Sequence, residues 1–173
     1  MPNTAIQAVT LKQLPALQAI SRATFTATFG ADNTPADLSQ YLTTAYSTDQ
    51  LTRELTQSTT AFYFITVDQI PAGYLKLNWD QTQTEAYGPD TLEVERIYIL
   101  PTFKRLGLGS ALIKHACLVA KAHHKNAVWL GVWEHNQAAL NFYTKLAFKP
   151  IGEHHFQLGT DLQRDIIMQK KLN

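Results

Sequence analysis

One segment, Glu95–Ser110, constrains the fold of this chain more than any other. It runs from an apolar, β-branched strand through a short polar loop into a stretch whose apolar residues recur at helical spacing. The loop carries the cations Lys104 and Arg105 and the glycines Gly107 and Gly109, and glycine lets the backbone approach a ligand closely. Because the first amide N–H groups of a helix lack internal acceptors, a helix start attracts anions. The segment therefore predicts a strand, a phosphate- or pyrophosphate-binding loop and a helix.

Two common nucleotide-binding loops do not fit this segment. A dinucleotide fingerprint would place its third glycine at the position of Leu112. A Walker loop requires Lys and then Ser or Thr after its second glycine, whereas Gly109 is followed by Ser110 and Ala111. We therefore reject both nucleotide-binding interpretations.

The rest of the chain alternates strand-like and helix-like patterns, which indicates an α/β protein. Alternating or continuous apolar runs predict strands, and apolar residues every three or four positions predict helices. The predicted strands are 5–10, 61–67, 70–78, 92–100, 127–132, 151–156 and 166–171, and the predicted helices are 11–29, 35–46, 47–55, 107–123 and 136–146. Because a helix connects strands 92–100 and 127–132, these two are expected to run parallel. The other strands can pair antiparallel, so the predicted sheet is mixed.

Composition limits the class of protein and its partners. The chain has 173 residues, of which 45% are hydrophobic and 17% charged, as expected for one globular domain. Its net charge of +1 argues against a nucleic-acid groove or a polybasic membrane surface. We find no apolar run of membrane-spanning length and no signal-peptide pattern. Cys117 is the only cysteine, so no intramolecular disulfide can form, and we expect a reducing, cytoplasmic location.

A second block, residues 134–148, follows one strand after the glycine loop and combines an asparagine, a short helix and an aromatic strand start. The two blocks together resemble the GNAT superfamily of acyl-CoA-dependent N-acetyltransferases, whose signatures are Q/R-x-x-G-x-G/A and N-x-x-A-x-x-F-Y-x-x-x-G-F. The matching positions are Lys104, Gly107, Gly109, Asn136, Ala139, Phe142, Tyr143 and Phe148. Two residues depart from the pattern, since Lys104 replaces Gln or Arg and Ala147 replaces a glycine.

This resemblance, which covers about residues 60–171, implies a GNAT fold. Its mixed sheet of about seven strands would be splayed between strands 92–100 and 127–132, with helices on both faces. We expect a single N-acetyltransferase domain over residues 1–173. Within it, residues 91–148 would hold acetyl-CoA, and the N-terminal helices of residues 11–57 would lie on the acceptor side with the loop 80–90.

Four further segments resemble the PaiA-type spermidine/spermine N-acetyltransferases, namely Gly73–Asn78, Glu93–Tyr98, Trp129–Glu134 and Gly159–Asp165. The resemblance implies direct transfer of acetyl from acetyl-CoA to a primary amine in a ternary complex, with spermidine or spermine as the acceptor. Acidic residues in and beside the loop 80–90 suit a polycation, although they are also ordinary surface residues. Rival acceptors are a protein N-terminus, a lysine or another small amine. A rival of another class is a catalytically silent, CoA-binding regulatory module.

The resemblance also implies which residues bind acetyl-CoA. Main-chain groups of Ile97, Tyr98 and Ile99 would contact the pantetheine arm, and one of these N–H groups would stabilise the oxyanion. The remaining candidates are the loop residues Lys104, Arg105, Leu106, Gly107, Leu108, Gly109 and Ser110 for the pyrophosphate, with Asn136, Tyr143 and Lys145. Asn136 is also a favourable helix N-cap, and Lys145 is equally an ordinary solvated lysine.

Three residues are candidates for the proton transfers. Tyr143 is the candidate acid for the departing thiolate, because a phenol with a pKa of about 10 is protonated at neutral pH. Glu93 and Glu95 lie on one side of a regular strand, and either carboxylate could accept the amine proton or attract a polyamine. The alternative is a solvated strand face. Glu95 is the first candidate base, His135 is a minor alternative, and Arg96 is expected to pair with one of the two carboxylates.

No metal or nucleic-acid partner is indicated. The six histidines include the adjacent pairs His123-His124 and His154-His155, whose spacing does not suit metal ligands. We therefore expect no metal, and the resemblance to the GNAT superfamily implies acetyl-CoA as the co-substrate. The C-terminal strands would leave a sheet edge through which a homodimer could form.

Overall fold

A computed structural model describes all of residues 1–173 as one seven-stranded sheet with helices on both faces. The strands are β1 Thr4–Ala8, β2 Thr60–Val67, β3 Ile70–Trp79, β4 Thr91–Ile99, β5 Ala127–Trp133, β6 Lys149–Leu158 and β7 Asp161–Lys171. The helices are α1 Leu14–Phe29, α2 Pro35–Ala45, α3 Thr48–Thr56, α4 Leu108–Ala122 and α5 Gln137–Lys145. None of the helices combines the length and apolarity that crossing a bilayer requires.

The strand order β1-β2-β3-β4-β5-β7-β6 makes the sheet mixed. Every neighbouring pair is antiparallel except β4 and β5, which run parallel as predicted. This parallel pairing extends only from Thr91 opposite Ala127 to Val94 opposite Leu130. Beyond these residues the two strands separate, so the predicted splay is confirmed.

Each face of the sheet carries its own hydrophobic core. Helices α4 and α5 cover one face, where the core includes Leu75 and Leu77 of β3 and Leu112 of α4. Helices α1, α2 and α3 cover the other face, where Tyr74 packs with Leu17 of α1. Side chains alternate between the two faces of a strand, which explains why β3 contributes to both cores.

Local signals account for most element boundaries. The Ser47 hydroxyl accepts a hydrogen bond from the Gln50 N–H at 3.1 Å, which caps α3. The β2–β3 turn is confined to Asp68 and Gln69, whose φ angles are 49° and 70°, so Ile70 already belongs to β3. Two consecutive residues with positive φ form the tight turn that matches the twist of a hairpin.

The largest departure from the sequence-based prediction lies in the C-terminal hairpin. Strands β6 and β7 are longer than the predicted 151–156 and 166–171, and they pair from Lys149 opposite Gln169 to Leu158 opposite Asp161. A tight turn at Gly159, where φ is 59°, joins them directly. Residues 161–165 are polar except for Leu162, so a hydrophobicity pattern does not predict this part of β7 as a strand. Its ladder is stabilised by pairing with β6.

Candidate functional site

The site begins where β4 leaves β5. Lys76 of β3 lies opposite Arg96 and Leu77 lies opposite Val94, so Glu95 is an extra residue in β4. Such a bulge interrupts the ladder and bends the strand. The bulge therefore lies at the point where the β4–β5 pairing ends, and a gap opens between the strands.

The edge of β4 that faces this gap carries free main-chain groups. The Leu100 N–H donates to the Ala72 carbonyl of β3 at 2.8 Å. Because N–H groups alternate between the two edges of a strand, those of Ile97 and Ile99 point away from β3, toward the gap. The carbonyl oxygen of Tyr98 points toward Gly73 of β3. It lies so close that a Cβ atom added at Gly73 would be only 2.5 Å from it. Tyr98 therefore faces the site through its ring rather than its backbone.

The loop from Lys104 to Ser110 leads into α4, and its amides from Arg105 onward are unpaired. Gly107 precedes the helix with a φ of 76°, in the left-handed region that favours glycine. The first helical hydrogen bond runs from the Ala111 N–H to the Gly107 carbonyl, and no N–H group from Arg105 to Ser110 donates within the chain. Lys104 and Arg105 are exposed and form no ion pair. Free amides beside two cations at a helix start fit a pyrophosphate group.

Close packing under this loop explains one of its glycines. An ideal Cβ at Gly109 would lie 3.2 Å from Cζ of Phe142, on α5. The ring of Phe142 contacts Tyr143 edge-on, with 5.1 Å between centroids. The loop and α5 are thus held together through residues of both sequence blocks. Leu106 is exposed, whereas Leu108 is buried in the core.

A cavity of about 340 Å³ occupies the gap between β4 and β5 and continues over the face covered by α1 and α2. Its walls come from both ends of the sequence, because the β6–β7 hairpin folds back toward the N-terminal helices. The polar side chains that line it belong to Glu85, Glu93, Glu95, Arg96, Asn136, Tyr143, His154 and Asp165. An aromatic wall faces them, formed by Phe25, Phe29, Tyr41, Tyr46, Tyr98, Trp133 and Phe156.

Tyr143 lies at the α5 end of the cavity. Its ring is buried, and burial raises the pKa of the phenol above its ordinary value. No group of the chain hydrogen-bonds to its hydroxyl, which leaves that hydroxyl free for a ligand. Asn136 begins α5, since its side chain accepts a hydrogen bond from the Ala139 N–H at 3.1 Å. Lys145, at the last turn of α5, is exposed and makes no ion pair.

The amide of Asn78 donates to the carboxylates of both Glu93 and Glu95, at 3.0 and 3.2 Å. The two carboxylates therefore lie close together, although the bulge at Glu95 makes β4 irregular here and the prediction had assumed a regular strand. The N–H and hydroxyl of Thr84 also donate to Glu93, at 2.8 and 2.5 Å. Burial raises the pKa of Glu93, and these hydrogen bonds partly oppose the shift. Burial alone would raise the pKa of Glu95 as well, but the charges of Arg96 and Lys76 outweigh it and lower that pKa.

A buried ionic network, missed by the sequence analysis, supports the bulge. Glu54 of α3 accepts hydrogen bonds from Lys76 at 2.9 Å and from Arg96 at 3.0 and 2.8 Å. Lys76 also forms an ion pair with Glu95. The sequence analysis predicted that Arg96 pairs with Glu93 or Glu95. In the structure, Arg96 hydrogen-bonds to Glu54 instead. One feature of the sequence does indicate a buried ionic network. Lys76 is a charged residue between Leu75 and Leu77 in an apolar strand.

His154 on β6 was not among the predicted site residues, because the adjacent pair His154-His155 was judged only by its spacing as metal ligands. Its Nε2 lies 3.2 Å from Asp165 of β7, and its Nδ1 lies 2.6 Å from Glu85 in the loop before β4. The hydrogen bond with Asp165 raises the pKa of His154 although burial opposes it. Gly131 of β5 lies beneath this pair, and an ideal Cβ there would be 3.3 Å from the Asp165 carboxylate. His135, by contrast, is exposed.

A parallel strand pair splayed beside an anion-binding helix start defines a class of acyl-CoA-dependent transferases. The family model described as Acetyltransferase (GNAT) family matches residues 17–148 of this chain. The chain therefore belongs to the GNAT family and is an acetyl-CoA-dependent N-acetyltransferase.

Individual relatives agree with this family. An uncharacterized N-acetyltransferase from the pepI 3′ region of Lactobacillus delbrueckii subsp. lactis is 42% identical over 172 residues, which cover 99% of both chains. The PaiA N-acetyltransferase of Thermoplasma acidophilum, solved with coenzyme A, has a TM-score of 0.80 at 21% identity and covers 98% of this chain and 99% of its own. The ribosomal-protein-S18-alanine N-acetyltransferase of Escherichia coli has a TM-score of 0.72 at 18% identity, with 98% and 94% covered. The last two show a shared fold.

Proposed function

We propose that this enzyme transfers acetyl from acetyl-CoA to a primary amine of a polyamine such as spermidine or spermine. The observation that carries the proposal is the carboxylate-rich lining of the cavity, in which Glu85, Glu93, Glu95 and Asp165 outnumber the basic residues of the same lining, Arg96 and His154 among them. A polyamine carries a positive charge at each nitrogen, and clustered carboxylates attract such a ligand. The likeness to the PaiA N-acetyltransferase of Thermoplasma acidophilum agrees with this substrate class.

Acetyl-CoA supplies the thioester whose carbonyl the amine attacks. In the proposal the amides of Arg105–Ser110 and the cations Lys104 and Arg105 bind its pyrophosphate, because these amides are unpaired and the cations lie beside a helix start. The free edge of β4 at Ile97 and Ile99 binds the pantetheine arm, and one of these N–H groups stabilises the oxyanion. Asn136 and Lys145 contribute at the α5 side.

The amine must lose a proton before it can attack. We assign this step to Glu95, directly or through water, because its ion pair with Lys76 keeps it charged and its side chain is 21% exposed. Glu93 is nearly saturated by its hydrogen bonds to Asn78 and Thr84, so it serves to hold the loop before β4. Tyr143 donates the proton that the departing thiolate accepts, and its raised pKa keeps the phenol protonated until that step.

The organisation of the chain in this proposal follows the two faces of the sheet. Residues 91–148 form the acetyl-CoA core, and residues 11–57 form the acceptor side, all within a single domain of residues 1–173. A cytoplasmic location and a homodimer remain predictions. Strand β6 is one edge of the sheet, and light scattering of the purified protein would test whether that edge pairs with a second copy.

Release of CoA thiol from acetyl-CoA at about pH 8, with and without spermidine, tests the proposed function. We expect release to depend on spermidine. An acceptor panel of spermidine, spermine, a lysine peptide and a peptide with an N-terminal alanine measures preference through kcat/KM. A higher kcat/KM with either peptide would refute the polyamine assignment.

Substitution of the proposed base provides a second test. Glu95→Gln should lower kcat by about a hundredfold, the lower end of a typical general-base contribution. Glu153→Gln is the matched control, because Glu153 is exposed on β6 and pairs only with Arg164. It should leave turnover unchanged. An equally active Glu95→Gln enzyme would refute the assignment of Glu95.

A further inference from the structure

A row of polar side chains leads from the cavity toward the surface along β7. Asp161, Gln163 and Asp165 alternate with residues of the opposite face, where Arg164 pairs with Glu134 at 3.0 Å. Asp165 reaches the cavity, as its contact with Gly131 shows. Gln163 donates to Asn33, in the segment between α1 and α2, at 2.8 Å. The row therefore faces the N-terminal helices.

A second cavity of about 360 Å³ lies at the outer end of this row. It is lined by Asp32, Trp133, His135, Asp161, Leu162 and Gln163. Trp133 also lines the first cavity, so the two cavities are adjacent and share this residue. Asp165 belongs to the first cavity, and Gln163 and Asp161 belong to the second. Along the strand, Gln163 is roughly 6.6 Å and Asp161 roughly 13 Å from Asp165.

One residue that lines the second cavity, Gln163, has a hydrogen-bond acceptor to which no group of the chain donates. Gln163 is 94% buried, as only 6% of its surface is exposed, and its Oε1 accepts no hydrogen bond. Its Nε2 is already used by Asn33 and by Asp161, at 2.8 and 2.9 Å. Asp32 makes no ion pair with the chain. A buried, unpartnered carbonyl in a cavity that is also lined by the carboxylates of Asp32 and Asp161 is suited to a ligand that only donates hydrogen bonds and carries positive charge.

We infer that the second cavity binds a distal ammonium of a linear polyamine whose terminal amine lies in the first cavity. The inference rests on the proposed function and adds a second site to it. An extended spacer of three or four methylene groups covers a distance similar to that between successive side chains of the row. Trp133 contributes an aromatic surface, on which ammonium groups bind favourably. The site thus discriminates acceptors by the number and spacing of their charges.

Acceptors of matched chemistry test this inference. Butylamine, putrescine and spermidine share a primary amine on a four-carbon chain but differ in distal charge. For the wild type we expect kcat/KM to rise in that order. Asp32→Asn combined with Asp161→Asn should lower the ratio of kcat/KM for spermidine to that for butylamine by about tenfold, and Asp161→Lys should lower it further. Thermal melts check folding, and Glu153→Gln should keep the wild-type ratio.

Two outcomes separate this inference from the proposed function. If spermidine is acetylated and the double variant keeps the wild-type ratio, the second site is refuted while the polyamine assignment stands. If no polyamine is acetylated, calorimetric titration of spermidine decides the matter. If spermidine binds more weakly to the double variant than to the wild type, the second site is supported although the proposed function fails. If the two substitutions leave spermidine binding unchanged, the second site is refuted.

Discussion

The buried ionic network of Glu54, Lys76, Glu95 and Arg96 gives the sharpest prediction about stability. Its charges balance, with two carboxylates against two cations, and the side chains of Glu54 and Lys76 are 5% and 6% exposed. Glu54→Gln keeps the size of the side chain but leaves a net positive charge in a desolvated place. Its new amide nitrogen would also face two donors. Breaking a buried pair in this way costs about 3 kcal/mol, which for a chain of this size lowers Tm by roughly 6–12 °C.

Urea unfolding followed by circular dichroism measures this loss, provided that the m-value is unchanged. Adding Lys76→Met to Glu54→Gln leaves Glu95 and Arg96 balanced, so the double variant should recover at least about 1 kcal/mol. The exposed pair Glu153–Arg164 supplies the control, since Glu153→Gln should cost less than about 1 kcal/mol. A loss for Glu54→Gln as small as that of the control would refute the argument from desolvation.

Three other predictions concern the site. Tyr143→Phe should lower kcat by about a hundredfold with acetyl-CoA affinity, measured by calorimetry, unchanged; parallel losses would mean that the phenol only shapes the cavity. Gly109→Val should raise the KM for acetyl-CoA by about tenfold or more, because even a Cβ there would lie 3.2 Å from Phe142. His154 has a raised pKa, so its pairing with Asp165 stabilises the fold below its unfolded pKa of about 6.5 and loses this effect as pH rises through the folded pKa. The stability difference between wild type and His154→Gln should therefore shrink from about pH 6 to about pH 9 in urea unfolding, and a constant difference would contradict the assignment.

Several features of the site could be predicted from the sequence because they depend on neighbours along the chain. The strand, loop and helix of Glu95–Ser110 follow from hydrophobic period and from Gly107, whose φ of 76° suits glycine. Asn136 caps α5 through a residue only three positions away. The parallel β4–β5 junction follows from the helix between the two strands.

Other features depend on residues that are distant in sequence. The bulge at Glu95 is visible only in the register between β3 and β4. Arg96 bonds to Glu54, 42 residues earlier, and Gln163 bonds to Asn33, 130 residues earlier. A hydrophobicity pattern contains no information about such partners, because the packing of the helices and strands determines which polar side chains meet.

The sequence by itself determined the elements, the parallel junction and the pyrophosphate-type loop, since local periodicity and glycine geometry act within a few residues. Only the tertiary structure decided the charge environment of the cavity. Folding the β6–β7 hairpin toward α1 and α2 brings His154 and Asp165 beside Glu85. Packing α3 on the sheet places Glu54 between Lys76 and Arg96. The charges of those two cations, which lie beside Glu95 on the paired strands β3 and β4, lower the pKa of Glu95 against the effect of burial. Desolvation and charge pairing exist only once distant segments meet, and they set the protonation of this site.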